Sequence, residues 1–245
     1  MTREPTSLLR ETDEEARIAA RRLVRSARHV PLAVLDPETG FPSVSRVLLG
    51  LDLDCTPVIL VSALAGHARG LKADPRCSFL AGEPGKGDPL AHARITVFCQ
   101  AEPVARGGAS HQRLRTRFLR RHPKAALYVD FPDFSFLRLV PIRAAMNGGF
   151  GKAYTMDGED LVLAPPHDES GWLALEESIM IRYQDASRLA SASGASETSN
   201  CRMSGIDQAG FDIVCGNRGF RYEFDSPCPT PQAAEDYVRT IHDAV

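Results

Sequence analysis

The sequence predicts an α+β fold, with an antiparallel sheet in a first domain and a smaller domain of helices and strands after it. Apolar runs of strand length are the first observation, at residues 44–51, 57–62 and 77–82. Turn-rich segments between such runs are the second, and they are typical of antiparallel hairpins. The third is a change of composition after Pro165 and Pro166. This change predicts domains over residues 1–164 and 165–245.

Length and composition are those of an ordinary globular protein. The 245 residues can bury a core, and the fractions of 43% apolar and 24% charged residues are typical. A net charge of -2 excludes the strongly basic surface that drives nonspecific nucleic-acid binding. The apolar runs are shorter than the roughly 20 residues that span a bilayer, and residues 1–5 contain no apolar signal core. We therefore expect a cytoplasmic protein with no membrane or nucleic-acid partner.

The six cysteines are scattered and form no Cys-x-x-Cys pair. Three of them, Cys77, Cys99 and Cys215, lie within apolar strand-like runs, where cysteine behaves as a small buried hydrophobe. We therefore expect reduced structural thiols rather than a disulfide or a metal site. The histidines are also dispersed and fit no metal-ligand spacing, so no metal site is predicted.

A helix and two hairpins are predicted at the start of the chain. Thr12 and Glu15 have the spacing of a capping box, which opens a helix to about His29. One face of this helix carries four arginines, which we expect to be solvated: Arg17, Arg21, Arg22 and Arg25. A strand over residues 31–35 and turns over 36–40 and 52–56 then make the hairpins.

The middle of the chain contains two predicted helices. The first spans residues 66–73 and is closed by Asp74 and Pro75. The second spans residues 110–122 and carries five arginines: Arg113, Arg115, Arg117, Arg120 and Arg121. We expect an exposed basic helix, with an anionic ligand or partner as the alternative. Two Gly-Lys pairs, at Lys86 and Lys152, lack the spacing of a nucleotide-hydrolase phosphate loop.

The remaining elements are predicted from alternating apolar and polar residues and from the turn residues between them. Residues 94–102 alternate as a strand, and a turn at Pro132 and Asp133 leads into an aromatic strand to about Ile142. The C-terminal part is predicted as a helix over residues 170–192 and a flexible break over 191–199. Three strands over 201–206, 211–215 and 220–224 and a last helix over 230–245 follow.

Several short motifs resemble a known family. The second strand carries Ser45-Arg46-Val47-Leu48, and the third ends in Ser62 before the run Leu64-Ala65-Gly66-His67-Ala68-Arg69-Gly70-Leu71. Asp74-Pro75-Arg76-Cys77-Ser78-Phe79 follows, and residues 83–90 and 148–153 also match. The chain resembles, over nearly its whole length, the haem iron utilisation subgroup of pyridoxamine phosphate oxidase-like proteins.

This resemblance implies a fold and a ligand. The fold is an antiparallel, Greek-key, FMN-binding split β-barrel followed by a small C-terminal α+β domain, and the protein is a homodimer with FMN between its subunits. The residues that the resemblance assigns to cofactor binding are Arg46, Val47, Leu48, Ser62, His67, Arg69 and Lys86. Where the family has Thr and Asn, this chain has Ala68 and Gly70, so a hydroxyl and an amide are missing.

The resemblance also raises the question of haem. Members that bind haem present a histidine from a helix of the C-terminal domain, and the matching residues 182–189 contain no histidine. Tyr183 is the nearest substitute there, and we expect it to be a packed helix residue. No nucleophile, base and orienting group can be assembled, so catalytic residues are left unassigned.

Three hypotheses about function follow. The first is an FMN-dependent oxidoreductase of unknown small-molecule substrate, in which arginine, serine and histidine side chains hold the phosphate. The second is a haem-binding or haem-utilisation protein. The third is a barrel that has lost its cofactor and acts as a binding module, which Ala68 and Gly70 favour.

Overall fold

The larger sheet of the computed structural model, which describes residues 10–149 and 152–244, closes into a barrel. Its strands are β1 (His29–Leu35), β2 (Pro42–Leu51), β3 (Pro57–Ser62), β4 (Arg76–Ala81), β5 (Arg94–Pro103), β6 (Phe134–Asn147) and β7 (Ala153–Asp157). The strand order is β3-β2-β1-β4-β5-β6-β7, and β3 also pairs with β6. Six antiparallel strands therefore complete the ring, and β7 extends β6 outside it. The predicted α+β split-barrel fold is confirmed.

The barrel interior is filled by alternate residues of each strand. In β1, for example, Val30, Leu32 and Val34 are buried, while their neighbours are more exposed. A helix, α1 (Glu14–Ser26), packs Ala20 and Val24 against this core. Its first turn differs from the prediction. The N-cap is Asp13, whose carboxylate accepts from the Ala16 N–H at 2.8 Å, whereas the predicted Thr12 hydroxyl donates to the Thr155 carbonyl.

A basic helix, α3 (Ala109–Arg121), lies outside the barrel wall. It buries Leu114 and Phe118 against residues of β3 and β6. A Cβ built at Gly50 of β2 would lie 2.7 Å from Cδ2 of Phe118. The glycine is therefore required for the close approach of helix and strand, because any larger side chain would push Phe118 away.

The C-terminal region consists of residues 169–244 and has its own apolar core. It contains α4 (Glu169–Arg182), α5 (Ser187–Ala192), β8 (Cys201–Asp207), β9 (Gly210–Cys215), β10 (Arg218–Glu223) and α6 (Pro231–Ala244). The strands form an antiparallel sheet in the order β10-β9-β8, and Trp172 and Phe211 are fully buried beneath the helices. The single helix predicted over residues 170–192 is wrong. It breaks between α4 and α5, where the Ala186 N–H donates to the Cys201 carbonyl at 3.0 Å instead of continuing a helix.

Most other predicted elements are confirmed. The helix α2 (Gly66–Ala73) and the strands β1 to β5 and β8 to β10 lie within one or two residues of the predicted ranges. β6 continues past Ile142 to Asn147, and β7 was not predicted. Phe150, Gly151 and Val245, which belong to predicted motifs or elements, lie outside the described residues, as do residues 1–9.

The cysteine prediction is wrong for one pair. Cys201 and Cys215 form a disulfide, with 4.1 Å between their Cα atoms. They are direct partners across β8 and β9, and this pairing depends on strand register rather than on any sequence motif. The other four cysteines, Cys55, Cys77, Cys99 and Cys228, are buried free thiols, as expected.

The expectation of an exposed basic helix is wrong for α3, because part of its charge is buried. Arg117 and Arg121 are almost fully buried. Arg117 donates to Glu176 of α4 and to the Leu51 carbonyl at 3.0 Å, and Arg120 donates to the same carboxylate at 2.6 Å. Acidic partners that are distant in sequence therefore neutralise the helix, and a local charge count does not reveal them.

Further ion pairs join α1 and the barrel to the C-terminal sheet. Arg25 is fully buried, contrary to the predicted solvated face, and donates to both oxygens of Glu223 at 2.8 and 2.9 Å. Arg221 makes two bonds of 2.7 Å to Asp207. Burial opposes the charge of Asp207, but the attraction of Arg221 outweighs it, so the pKa of Asp207 lies below its usual range.

The pairs of Arg25 and Arg117 cross the predicted boundary at residues 164 and 165, whereas the pair of Arg221 and Asp207 lies within the C-terminal sheet. The boundary falls in the segment before α4, where the chain leaves the barrel. Buried ion pairs connect the two parts of the chain. The division into two domains stays a prediction. In the described ranges 10–149 and 152–244, no helix combines the length and apolar character required to cross a membrane.

We expect Glu176→Gln to lower the free energy of unfolding by about 3–5 kcal/mol, because it leaves buried guanidinium charge without its carboxylate. Urea unfolding measures this change. The adjacent exposed Glu177 provides the control, since Glu177→Gln should shift the free energy by less than about 0.5 kcal/mol. Equal effects of the two variants would show that the pairs with Glu176 contribute nothing.

His122 should make the stability depend on pH. Burial lowers its pKa from 6.5 to about 3, although its Nε2 bonds to the Leu49 carbonyl at 2.8 Å. Because the folded state binds the proton more weakly, this contribution is present above pH 6.5 and is lost as the pH falls towards 3. Between pH 7 and 5 the loss is about 2 kcal/mol. Urea unfolding should show a smaller loss over this range for His122→Gln, whose amide can still donate to Leu49; an unchanged pH dependence would contradict the assignment.

Candidate functional site

A cleft of about 740 Å³ opens at one end of the barrel, between α2, the end of β5 and the start of β6. We call it the barrel cleft. Its floor is apolar and is made by Val61, Ala68, Leu71, Ala101 and Leu137. Val61, Leu71 and Ala101 belong to the buried barrel core, so the cleft is an opening into that core. An apolar ring system is the kind of group that such a floor accommodates.

The rim of the barrel cleft is polar. Arg69 and Lys72 lie on it, three residues apart on α2, and both are exposed. Neither is within salt-bridge distance of a carboxylate among the described residues. Glu102 and Gln100 of β5 and Ser135 of β6 also line the cleft. The arrangement offers two cationic donors above an apolar floor, with one acidic group opposite.

Close packing of α2 explains one departure from the family motifs. A Cβ at Gly70 would lie 2.8 Å from the Leu35 carbonyl oxygen and 3.0 Å from Cγ2 of Val34. No side chain fits there unless the helix shifts, so the asparagine of the family would not be accommodated at this position. Ala68, in place of threonine, keeps the cleft wall apolar.

Among the predicted cofactor residues, Arg69 alone lines the barrel cleft. Ser62 lies nearby but its hydroxyl is engaged: it donates to Asp133 at 2.6 Å and accepts from the Leu64 N–H. His67 is half-buried on α2, and this burial lowers its pKa, so the imidazole is neutral at pH 7. Ser62 and His67 therefore flank the cleft wall without lining the cleft.

The predicted residues of β2 face different directions. Arg46 is exposed on the outside of the barrel, opposite Pro31, whereas Val47 is buried in the barrel core. Leu48 is half-buried on the outer side and lines a different cavity. Lys86 is exposed and lines a cavity beside Arg28. Within one chain, these residues therefore do not lie together. The predicted site between two copies stays a prediction.

Apolar side chains are exposed on the outward face of β1, β2 and β4. We call it the outer face. Val44 of β2 is 65% exposed and Leu80 of β4 is 40% exposed, and Phe41, just before β2, is 73% exposed. Val44 pairs with Ala33 of β1. Leu48, further along β2, packs beneath α3, so only part of this face is uncovered. Exposed apolar side chains of this kind mark interaction surfaces.

Sequence analysis missed Lys72 and Glu102. Lys72 has a signal in the sequence, because residues three apart on a helix share a face, and Arg69 was already a candidate. Glu102 has no such signal, because its position beside α2 follows from barrel closure. A second cationic cavity, which contains Leu48, was also not foreseen as a site.

The barrel cleft contains no side chain suited to bind haem iron. Histidine, cysteine, tyrosine and methionine are absent from the part of its lining that the structure describes. Tyr183 is buried in the C-terminal core against the ring of His242, as expected for a packed residue. The described parts of the chain contain no cluster of histidine, cysteine or acidic side chains arranged to hold a metal ion.

Comparisons with known proteins support the fold and the family. The CREG β-barrel family model matches residues 11–162. The chloroplastic non-canonical heme oxygenase HOZ of Arabidopsis thaliana is 34% identical over 120 residues, which cover 49% of this chain and 36% of that protein. The match thus spans about a third of the length of that relative.

Two solved structures align over almost the entire chain. A protein of unknown function from Agrobacterium tumefaciens has a TM-score of 0.80 at 27% identity, covering 95% of this chain and 96% of that one. A heme binding protein from Mycobacterium smegmatis has a TM-score of 0.57 at 27% identity, covering 96% and 98%. The resemblance to split-barrel haem utilisation proteins is confirmed. Because the family model covers more than half of the chain and its closed antiparallel barrel, this protein belongs to the CREG β-barrel family.

Proposed function

We propose that this protein binds FMN in the barrel cleft and is a flavin-dependent oxidoreductase. The observation that carries the proposal is an apolar floor beneath two cations, Arg69 and Lys72, that have no carboxylate of the described residues within 4.0 Å. An isoalloxazine ring suits the floor, and a phosphate suits the two cationic donors. The flavin would supply the redox chemistry, and the chain would position the flavin and exclude water from its ring.

A second copy of the chain completes the proposed site. The outer face provides the docking surface for that copy, because Val44 and Leu80 expose apolar area on it. Arg46 lies on the same face, so a homodimer would bring its guanidinium to the subunit boundary. Ser62, His67 and Lys86 remain part of the proposed two-copy site. Val47 and Leu48 would act through strand packing and backbone position.

Haem is the second candidate ligand, because two relatives are named as heme oxygenase and heme binding protein. Its propionates would suit Arg69 and Lys72 as a phosphate does. The barrel cleft offers no iron ligand, however, which makes FMN the better fit. A cytoplasmic location also stays a prediction, and the Cys201–Cys215 disulfide is more typical of oxidising surroundings.

The rim charges predict how variants bind FMN. Lys72→Gln and Arg69→Gln should each weaken FMN binding about tenfold or more, since each removes a charged donor to the phosphate. Glu102→Gln should strengthen binding, because it removes the acidic group of the rim. Quenching of flavin fluorescence measures the affinities. Riboflavin is the matched control: without phosphate, its affinity should not distinguish the variants from the native chain.

Visible spectra separate the candidate ligands. We expect flavin absorption bands that shift on binding to the protein, and no one-to-one Soret shift on titration with haem. A one-to-one Soret shift without FMN binding would replace the proposal with haem binding. If neither ligand binds, the barrel is a binding module without cofactor, and the proposal is wrong.

The outer face predicts a dimer that a single charge disrupts. Sedimentation should give twice the mass of one chain, and Val44→Asp should give one chain mass, because a carboxylate at an apolar interface loses its hydration. Ile181→Asp is the control, since Ile181 is equally exposed, at 66%, but lies on α4. A native protein that sediments as a monomer would rule out the two-copy site.

A further inference from the structure

A second cleft, of about 650 Å³, lies at the junction between the barrel and the C-terminal sheet. We call it the junction cleft. Arg28 after α1, Leu48 of β2 and Lys124 after α3 line it from the barrel side, and Asn200 and Arg202 line it from the C-terminal side. It shares no lining residue with the barrel cleft.

The junction cleft is cationic. Arg28, Lys124 and Arg202 line it, and the described residues of its lining include no aspartate or glutamate. His122 also borders the cleft but adds no charge at pH 7, because burial lowers its pKa to about 3. Three positive side chains from three separate segments thus face one cavity without an acidic residue among them.

Arg28 makes no ion pair among residues 10–149 and 152–244, and its hydrogen bonds go to backbone carbonyls. One terminal nitrogen of its guanidinium donates to the Gly216 carbonyl at 3.0 Å and the other to the Arg121 carbonyl at 2.9 Å. Its Nε is buried and has no hydrogen-bond partner. Burial, and then the nearby charge of Arg202, lower the pKa of Arg28. A half-buried guanidinium held next to another cation is unfavourable unless an anion joins them.

The neighbouring buried arginines differ from Arg28 in having a carboxylate partner. Arg25 pairs with Glu223, Arg117 with Glu176 and Arg221 with Asp207. The fold therefore supplies carboxylates to its structural arginines. Arg28 and Arg202 have no carboxylate within 4.0 Å among the described residues, although they lie at the edge of the same network. Cations left without partners in a cavity are typical of anion sites.

The remaining walls indicate the size and nature of the ligand. Leu48 and Ala125 give apolar surface, and the side chains of Asn200 and Asn217 give neutral donors and acceptors. Inorganic phosphate alone would leave most of the volume unfilled. A phosphate group attached to a small polar organic body would use the cations and the amides together.

We propose that the junction cleft binds a small phosphorylated organic molecule, with its phosphate between Arg28, Lys124 and Arg202. This site is separate from the proposed FMN site. A phosphate monoester and a diphosphate share the required chemistry, and the experiment distinguishes them.

Calorimetric titration of the full chain with ribose 5-phosphate, with inorganic pyrophosphate and with ribose tests the proposal. We expect one ribose 5-phosphate or pyrophosphate per chain, affinity that falls as salt is added, and no binding of ribose. Tighter binding of ribose 5-phosphate would identify a monoester, and tighter binding of pyrophosphate would identify a diphosphate. No binding of either at low salt would overturn the proposal.

Variants locate the binding. Arg202→Gln and Lys124→Gln should each weaken it about tenfold or more. Arg188→Gln, an exposed arginine on α5, should leave it unchanged, and so should Lys72→Gln in the barrel cleft. The FMN affinity of Arg202→Gln should equal that of the native chain, so failure at one site is distinguished from failure at the other. Equal affinities for ribose 5-phosphate in Arg202→Gln, Lys124→Gln and Arg188→Gln would place the ligand elsewhere.

Thermal unfolding without ligand gives a second measurement. Arg202→Gln should unfold at the native temperature or above it, because it removes a cation next to Arg28 and breaks no ion pair. A clear drop would show that Arg202 stabilises the fold and would contradict its role as a ligand-binding charge. Lys124 is exposed, so Lys124→Gln tests binding even if Arg202→Gln is unstable.

Discussion

Buried pairing between arginines and carboxylates is the constraint on which this structure depends. Arg117 of α3 reaches Glu176 of α4, and Arg25 of α1 reaches Glu223 of β10, so both pairs join the barrel to the C-terminal region. Charges removed from water are tolerated only with well-placed partners. These pairs therefore fix how the C-terminal sheet sits on the barrel more strictly than apolar contact would, since apolar surfaces can slide.

The same arrangement determines where unmatched charge remains. At the junction cleft, the carbonyls of Gly216 and Arg121 hold Arg28 in place but do not neutralise it. At the barrel cleft, Arg69 and Lys72 are exposed on α2, and water can solvate them. Solvated cations at a rim steer an anionic ligand into an apolar cavity. Desolvated cations at a junction gain more electrostatic stabilisation from the bound ligand, because water does not already stabilise their charge.

Sequence reasoning succeeded where the signal was local. The strands and α2 follow from apolar runs bounded by turn residues, and Arg69 follows from a motif on that helix. It failed where the answer depends on contacts between distant segments. The buried arginines of α1 and α3 have acidic partners that no helical pattern shows, and the Cys201–Cys215 pair depends on the register of β8 and β9. The break after α4 arises because the Ala186 N–H donates to a backbone carbonyl of β8. Arg46 and Lys86 lie apart from Arg69 within one chain, so a second copy is needed to bring them together.

Gly219 of β10 admits the Ser26 carbonyl and Gly50 of β2 admits the ring of Phe118, and the ion pairs add a second constraint. The family model covers residues 11–162, which include Arg25, Arg117 and Arg121 but none of Glu176, Asp212 and Glu223, the carboxylates that face them. In a relative that consists of the barrel alone, these three arginines would lie open to water, which solvates a guanidinium without a carboxylate. The need for a buried anion opposite position 117 therefore arises only where a companion sheet covers the barrel.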